Sequence, residues 1–382
     1  MDALLLCLKQ QQDEMLAMVK RMVEVESPST EKTAVDHFGE MVATIARSMG
    51  ARVRFYPSQG TGNHLRAEFR LDAGRAAGQI LLLGHLDTVW EIGSIARMPF
   101  RIERGRAYGP GVFDMKSGIV MGLFALSALR SLRIPVKKEV VLLLNADEEI
   151  GSPSSRPITE QEARQSDAAL VLEPAHGRSG ALKTARKGVG EFEVRVKGRA
   201  AHAGLEPEKG INAIVELSRQ ILRLEKMADP KRGITISPDR ICGGTRSNVI
   251  PEEASVAVDV RVLRIKDQAG IDRKLRSLRP CDRRARLEVT GGFNRPPLER
   301  TPAVAALFER ACRLARPLGL SLRETTVGGG SDGNFTAALG IPTLDGLGAV
   351  GEGAHAVQEN IIINELPRRA ALLAHLIADL SS

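Results

Sequence analysis

The sequence predicts an α/β protein whose mostly parallel sheet has helices on both faces and is interrupted by a smaller α+β domain with an antiparallel sheet. In the first part of the chain, apolar runs without alternation are separated by stretches with helical spacing, as in parallel strands buried on both faces. In the middle, residues 191–197 and 254–262 alternate strictly between apolar and polar side chains, as in an antiparallel sheet with one wet face. The length of 382 residues also exceeds what one ordinary core needs.

The predicted elements follow one another in a regular order. Helical spacing comes first, at 2–25 and 32–48, with a break at Pro28. Strands are then predicted at 52–56, 64–70, 79–84, 138–145 and 168–172, and further helices at 116–133, 210–227, 267–278, 303–316, 333–339 and 364–380. The pattern of buried strands alternating with helices stops near residue 178 and resumes near residue 292. This predicts one domain made of residues 1–177 and 292–382, with residues 178–291 inserted into it.

The composition argues against nucleic-acid and membrane partners. Aromatic residues make up only 3% of the chain, which disfavours a stacking surface for single strands. The formal charge is +8, but the basic residues are dispersed, and the densest run, 281–286, contains an acid. No run of eighteen apolar residues occurs, so no transmembrane helix is expected.

The cysteines and the first residues favour a cytoplasmic protein. Cys7, Cys242, Cys281 and Cys312 are far apart and form no Cys-x-x-Cys pair, so reduced thiols are expected, without a thiolate metal site. The chain begins with Asp2 where a signal peptide carries basic residues, so a signal peptide is not expected.

The most informative motif closes the strand predicted at 79–84. His85 and Asp87 follow this strand, at the carboxyl edge of the sheet, where open α/β folds place their chemistry. A neutral imidazole at His85 can bind a metal ion, and Asp87 is close enough to accept the other ring N–H. The alternative is a strand-end histidine that only forms a hydrogen bond with its neighbour.

Further acids and a second histidine stand at comparable positions. Asp114 lies in a glycine-flanked loop before a helix, where a helix N-cap is the alternative role. The acids 147–149 directly follow the strand at 138–145 and would repel one another unless a cation neutralises them. Glu173 follows the strand at 168–172, and His355 lies in a glycine-rich loop.

Two histidines and several carboxylates at one sheet edge form a ligand set suited to Zn²⁺ or a similar divalent ion. Two ions that share one bridging carboxylate need two further ligands each. This set provides that number, and it leaves one acid as a general base.

Taken together, the motifs resemble those of the dizinc exopeptidase family that contains carboxypeptidase G, aminoacylase and succinyl-diaminopimelate desuccinylase. The pattern over the whole chain is nearest to carboxypeptidase G. The matching segments occur in the family order and are residues 84–88, 111–118, 147–151, 172–174, 186–188, 201–204, 247–251, 259–261, 328–332 and 353–355.

The resemblance implies two Zn²⁺ ions per chain, with Co²⁺ or Mn²⁺ as alternatives. Asp114 would bridge the two ions. His85 and Glu173 would complete one site, and Glu149 and His355 would complete the other.

It also implies how the reaction proceeds. Glu148 would take a proton from the metal-bridging water and later deliver it to the leaving amine. Asp87 would be the partner that orients His85. Family members with a glutamate at the position of Glu173 tend to be carboxypeptidases or deacylases, not aminopeptidases.

For the inserted domain, the resemblance implies assembly and substrate binding. Inserted domains would pair into a homodimer, and His202 would polarise the scissile carbonyl in the partner's active site, with a surface-loop histidine as the alternative. Asn248 and Arg261 would hold the substrate's carboxylate, a cross-strand ion pair with Asp259 being the alternative for the arginine.

The glycine run 328–330, ending at Gly330, would let backbone N–H groups approach the same carboxylate, with a simple turn as the alternative. Arg186 and Lys187 are weaker candidates.

The activity predicted from these motifs is hydrolysis of the amide bond to a C-terminal amino acid, with glutamate favoured, as in folates or dipeptides. An N-acyl-amino-acid deacylase would use the same site. A non-catalytic dimeric binding protein is the alternative of another class, and the complete ligand set with Glu148 argues against it. An NAD-binding fold is excluded because no G-x-G-x-x-G follows the first strand.

Overall fold

The computed structural model describes residues 2–72 and 76–382, and the chain divides into two compact units. Unit 1 comprises Met1–Thr184, Arg300–Thr326 and Ser331–Ser382, and unit 2 comprises Ala185–Glu299 and Val327–Gly330.

The chain crosses between the units later than the positions 178 and 291 taken from the sequence. Leu182 still belongs to the main core of unit 1. On the return, Leu298 and Arg186 exchange backbone hydrogen bonds within unit 2. The brief second visit to unit 2 at 327–330 begins where Val327 accepts a hydrogen bond from the N–H of Lys187.

The strands are short and occur throughout the chain. They are β1 (Arg52–Tyr56), β2 (His64–Phe69), β3 (Gln79–His85), β4 (Arg101–Glu103), β5 (Arg106–Tyr108), β6 (Glu139–Asn145), β7 (Ala168–Val171), β8 (Leu182–Arg186), β9 (Gly188–Lys197), β10 (Thr235–Gly243), β11 (Glu253–Val262), β12 (Arg286–Arg295), β13 (Glu324–Val327), β14 (Thr343–Leu344), β15 (Gly351–Glu352) and β16 (Asn360–Ile362).

Most helices fall close to the predicted ranges, but the helix expected at 2–25 is interrupted at Gln11, and the helices at Ser94–Arg97 and Arg156–Arg164 were not predicted. They are α1 (Ala3–Gln10), α2 (Gln12–Val23), α3 (Lys32–Ser48), α4 (Ser94–Arg97), α5 (Ser117–Ser131), α6 (Arg156–Arg164), α7 (Ala213–Glu225), α8 (Ile265–Arg276), α9 (Pro302–Ala315), α10 (Gly333–Ala338) and α11 (Leu366–Leu380).

The sheet of unit 1 has the strand order β1-β2-β6-β3-β7-β14. Strands β6, β3, β7 and β14 run parallel, and β1 and β2 continue the sheet in antiparallel fashion. Along β3, Ile80 and Leu82 contribute to the core on one face, while Leu81 and Leu83 contribute to the core on the other. Burial on both faces explains the unbroken apolar runs and confirms the predicted fold class.

The helix α5 forms the centre of the larger core. Together with the preceding turn, α5 forms a 20-residue helical segment, Val112–Ser131, of mean hydropathy 1.5. By length and composition alone, this segment is long and apolar enough to cross a membrane. Of its most apolar window, 89% is buried inside the protein, as in the core helix of a globular domain.

Unit 2 has an antiparallel sheet in the order β10-β11-β9-β12. Its core joins the dry faces of β9 and β11 to α7 and α8, through residues such as Val194, Val258, Leu217 and Leu275. The two alternating segments therefore form the predicted antiparallel sheet, and α7 and α8 cover one of its faces. The edge strands β10 and β12 were not predicted. Pro238, at a β-bulge, interrupts the alternation of β10, and the glycines at 291–292 interrupt that of β12.

Candidate metal centre

The parallel strands place the predicted ligands at one edge of the sheet. His85 ends β3 opposite Asn145 of β6, and Leu83 lies opposite Val171 of β7. The segments that follow β3, β6 and β7 therefore leave the sheet side by side. This arrangement brings together acids that are far apart in the sequence.

His85 is fixed by its own strand end. Its Nδ1 lies 2.9 Å from the backbone carbonyl oxygen of Asp87, and its side chain is 1% exposed. The Asp87 carboxylate, which was expected to accept this ring N–H, lies 3.6 Å away. The ring N–H therefore goes to the carbonyl, and Nε2 is left to face the acids.

The Asp87 carboxylate instead braces the turn after β6. It accepts hydrogen bonds from the backbone N–H groups of Glu148 (3.2 Å) and Glu149 (3.1 Å) and from the hydroxyl of Ser29 (2.7 Å). Burial raises the pKa of Asp87 to about 6. Asp87 thus positions the two glutamates as well as the histidine.

Of the three acids after β6, only two face the site. The carboxylate of Asp147 accepts hydrogen bonds from the hydroxyl and backbone N–H of Ser154 (2.6 and 2.7 Å) and from the hydroxyl of Ser155 (2.5 Å). Serine and backbone donors therefore stabilise its charge, and the repulsion predicted among three acids is reduced to that between Glu148 and Glu149.

Asp114 lies in an irregular turn before α5. Gly111 begins this turn at φ +69°, and a Cβ at Gly118 would lie 2.2 Å from the carbonyl oxygen of Leu172, so both positions need glycine. The side chain of Asp114 points to the imidazoles and makes no N-cap contact with α5.

Glu173 follows β7 and has a basic neighbour. Its Oε1 lies 3.6 Å from His85 Nε2, and its Oε2 lies 3.7 Å from the ammonium of Lys183. Lys183 is also 3.7 Å from Asp345, and all three side chains are buried. One oxygen of Glu173 thus faces the site, and the other faces a buried cation.

The assembled geometry has Asp114 at its centre. Asp114 Oδ1 lies 3.2 Å from His85 Nε2, and Asp114 Oδ2 lies 3.5 Å from His355 Nε2. His355 Nε2 is also 3.2 Å from Glu149 Oε2. Each imidazole thus shares Asp114 and has one further carboxylate, Glu173 beside His85 and Glu149 beside His355.

The electrostatics of the cluster favour positive charge between the carboxylates. Hydrogen bonds to Asp114 and Glu149 raise the pKa of His355 to about 10. Burial opposes ionisation of Asp114, but hydrogen bonds from both histidines outweigh it and hold the pKa of that carboxyl well below its usual range. A divalent cation would satisfy the same demand.

Two further observations fit a divalent ion. Glu149 Oε1 is buried and has no hydrogen-bond partner among the residues that the structure describes. Ligand atoms of His85, Asp114 and Glu149 lie within 4.8 Å of one another, as do those of His85, Glu148 and Glu173. Histidine and carboxylate donors without thiolate suit Zn²⁺, Co²⁺ or Mn²⁺. The geometry also brings Glu148, predicted as a base, within reach of a ligand position.

His202 and Asn248 belong to unit 2 and lie on its surface. His202 Nδ1 accepts hydrogen bonds from the backbone N–H groups of Gly204 and Leu205, each at 3.1 Å. The neutral ring therefore carries its proton on Nε2, where it is a donor. Asn248 is exposed and accepts a hydrogen bond from the N–H of Ala203 with its backbone carbonyl.

Arg261 forms the ion pair that was its alternative reading. Its guanidinium binds Asp259 on the same strand through Nε (2.8 Å) and Nη2 (2.8 Å), and its Nη1 donates to the carbonyl of Gly328. The pair lies within one strand and not across two.

The glycine run 328–330 of unit 2 is fixed by hydrogen bonds to its backbone carbonyl groups. Arg186 is buried and donates to the carbonyls of Gly329 (3.2 Å) and Gly330 (3.0 Å). A Cβ at Gly330 would lie 2.7 Å from Arg295 Cδ, so packing requires glycine there. Lys187 has its pKa lowered by burial and by the nearby Arg261.

Sequence reasoning missed Glu359, Trp90 and Lys183. Glu359 is fully buried, its pKa is raised to about 7 by that burial, and it accepts hydrogen bonds from the turn that carries Asp114. The only available signal was weak: Trp90 is the single tryptophan, and it follows the His85–Asp87 motif closely.

Comparison with known proteins gives consistent matches over the chain. Residues 81–379 match the model of peptidase family M20/M25/M40. Carboxypeptidase G2 of Pseudomonas sp. (strain RS-16) is 30% identical over 381 residues, which cover 97% of this chain and 91% of that protein.

Two solved structures show the same fold. Aminopeptidase PepT from Bacillus cereus ATCC 10987 is similar with a TM-score of 0.82, 21% identity and coverage of 97% of this chain and 99% of that chain. Bacillus subtilis YxeP, described as a dinuclear metal-binding peptidase, is similar with a TM-score of 0.73, 16% identity and coverage of 98% and 99%.

Metal binding at this cluster can be tested through stability. Adding Zn²⁺ to chelator-treated protein should raise its melting temperature, since an ion at 100 times its Kd stabilises the folded state by about 2.7 kcal/mol. His355→Ala should reduce this rise clearly, and its own folding cost should be small because the side chain is half exposed. His375→Ala, which removes another histidine–carboxylate pair, the one with Asp2, is the matched control. An equal rise in His355→Ala and wild type would contradict the assignment.

Proposed function

The chain belongs to peptidase family M20/M25/M40, and from this premise we propose that it is a metallo-exopeptidase that releases a C-terminal amino acid, with glutamate favoured. The observation that carries the proposal is Asp114 between two imidazoles, each with its own second carboxylate. The similarity to carboxypeptidase G2 supports the choice of a carboxypeptidase.

The proposed cofactor is a pair of divalent ions, Zn²⁺ by preference and Co²⁺ or Mn²⁺ as alternatives. Asp114 would bridge them, with His85 and Glu173 on one ion and Glu149 and His355 on the other. The description of YxeP as dinuclear supports two ions. When bound, such a pair lowers the pKa of water and polarises a carbonyl oxygen.

Glu148 is the proposed proton carrier. Its backbone N–H is held by Asp87, so the side chain starts from a fixed position. Glu148 would take a proton from the attacking water and deliver it to the amine nitrogen as the amide bond breaks. The family resemblance assigns this task to Glu148, and a carboxylate oxygen of Glu148 lies within 4.8 Å of ligand atoms of His85 and Glu173, close to where the reaction would occur.

Unit 2 would bind the substrate's terminal carboxylate. We propose that Asn248, Arg261 and the backbone at Gly330 hold this group, and that Nε2–H of His202 donates to the scissile carbonyl oxygen in a partner subunit. The hydrogen bonds to His202 Nδ1 support this direction of donation. Asp259 keeps the guanidinium of Arg261 in place, so a bound substrate carboxylate would share that guanidinium with Asp259.

A substrate panel tests the proposed activity. Zinc-loaded protein should hydrolyse folate and Glu-terminated dipeptides faster than N-acetyl amino acids or peptides with an amidated C-terminus. Preference for N-acetyl amino acids would instead identify a deacylase. Absence of any hydrolysis by protein that holds two ions per chain would identify a binding protein.

Glu148→Gln should retain the metal ions and lose on the order of 10²–10⁴ in kcat, because proton transfer by a positioned group contributes that much. Elemental analysis and steady-state kinetics on the same preparation check both parts. Glu160→Gln, which alters an acid paired with Arg156 and Arg164 on α6, is the control and should keep its activity. Because Glu148 lies within reach of a ligand position, loss of metal in Glu148→Gln would make it a ligand.

Assembly through unit 2 is the last element of the proposal. Among the described residues, β10 and β12 each pair with a neighbour on one side only, which leaves an edge for pairing with a second chain, and Ile241 on β10 is 55% exposed. In a two-fold dimer each subunit's His202 would act in the other's site.

Mixing two inactive variants tests this arrangement. Glu148→Gln chains mixed with His202→Ala chains should regain activity, because one site of the mixed dimer has both groups. Glu148→Gln mixed with the double variant Glu148→Gln, His202→Ala should regain none. Demonstrated subunit exchange without recovered activity would show that His202 does not act across the interface.

A further inference from the structure

We propose that Glu359 is a positioning residue for the metal centre, and that it holds the bridging carboxylate of Asp114 in the orientation that binds two ions. The inference rests on the proposed two-ion site. It assigns to Glu359 no contact with the ions or the substrate. Its effect would reach the site through the backbone of the turn that carries Asp114.

The contacts of Glu359 are all directed at that turn and its neighbour. Oε1 accepts hydrogen bonds from the backbone N–H groups of Phe113 (2.8 Å) and Asp114 (3.0 Å). Oε2 accepts from the backbone N–H of Gly111 (2.9 Å) and from the indole N–H of Trp90 (2.8 Å). The residue is 0% exposed, so no solvent competes for these donors.

The same carboxylate links two ligand segments. Glu359 and His355 lie in one hairpin, between the paired strands β15 and β16. His355 has φ +61°, a backbone conformation that residues other than glycine rarely adopt, so the hairpin must hold it there. Because Glu359 binds the Asp114 turn from this hairpin, it sets the distance between the bridging ligand and His355.

The chemistry of the four contacts requires a carboxylate. Each oxygen accepts two N–H groups, and only an ionised carboxyl has acceptor sites on both oxygens without a donor. A glutamine has nearly the same volume, but its NH₂ group would face two N–H donors whichever way the amide is turned. Glu359→Gln therefore changes the hydrogen bonds of the turn while it leaves the packing intact.

The chain offers a matched control in unit 2. The carboxylate of Glu216 is 1% exposed and accepts backbone N–H groups from Cys281 (2.7 Å) and Asp282 (3.0 Å), together with the amide of Gln220 (2.6 Å). Glu216→Gln imposes the same kind of disruption on a turn that carries no proposed ligand. A general loss of stability should therefore appear in both variants.

The experiment is a Co²⁺ titration of chelator-treated full-length protein, followed by visible absorption, with Zn²⁺ affinity measured by competition with a chromophoric chelator. Glu359→Gln should bind more weakly by about 10–100-fold, as is typical when a partner of a ligand is removed. The absorption bands of bound Co²⁺ should also change, since they report coordination geometry. Glu216→Gln should match wild type in affinity and bands, whatever its melting temperature.

Trp90 shows whether the intended bond was broken. It is the only tryptophan, so the emission of the metal-free protein reports its hydrogen bond to Glu359 and should shift in Glu359→Gln. A shifted emission with unchanged metal affinity and unchanged Co²⁺ bands would overturn the inference and leave Glu359 a structural residue. Wild-type protein that binds no ion would instead contradict the proposed function itself.

If Glu359→Gln does not fold, Trp90→Phe decides the matter. This change removes one of the four donors and keeps both the aromatic packing and the buried charge. A several-fold loss of metal affinity in Trp90→Phe, with Glu216→Gln unaffected, supports the positioning role. Affinity equal to wild type in Trp90→Phe overturns it.

Discussion

Carboxylates that share a small buried space repel one another, and much of unit 1 is arranged around this constraint. Asp114, Glu149 and Glu173 are held beside two imidazoles, at distances of 3.2–3.6 Å between carboxylate oxygen and Nε2. The sheet makes this possible because the carboxyl ends of β3, β6 and β7 meet at one edge. Positive charge is therefore a condition for this edge to be stable, and protonated imidazoles or a bound divalent cation would supply it.

The buried acids of the region divide into two groups by the donors that they face. Asp87, Asp147 and Glu359 accept backbone N–H groups, which offset part of the cost of burying their carboxylates. Asp114 and Glu149 face imidazole nitrogens, and Glu149 keeps one buried oxygen without a hydrogen bond among the described residues. The first group holds the turns in place, and the second group lies where a cation would be bound. One segment, such as 147–149, therefore contributes to both groups.

Unit 2 is organised differently, because it has its own core and carries its polar groups outside. Asp259 holds Arg261, and Arg186 holds the carbonyls of the glycine run. These contacts restrict groups that would otherwise be mobile, so under the proposed function less order would have to be imposed for a carboxylate to bind.

Local patterns in the sequence were enough for the fold class, most of the helices, the central strands, the family resemblance, and the collection of His85, Asp114, Glu149, Glu173 and His355 at one sheet edge. Periodicity and strand ends depend on neighbouring residues, so they can be read along the chain. The hydrogen-bond partners of those residues could not be predicted from the sequence. Tertiary structure decided the hydrogen bond of His85 to the carbonyl of Asp87, the role of the Asp87 carboxylate and the removal of Asp147 from the cluster. It also decided the contacts of Glu359 with a turn some 245 residues earlier. The reason is that a hydrogen-bond acceptor binds whichever donor the packed chain brings within about 3 Å of it.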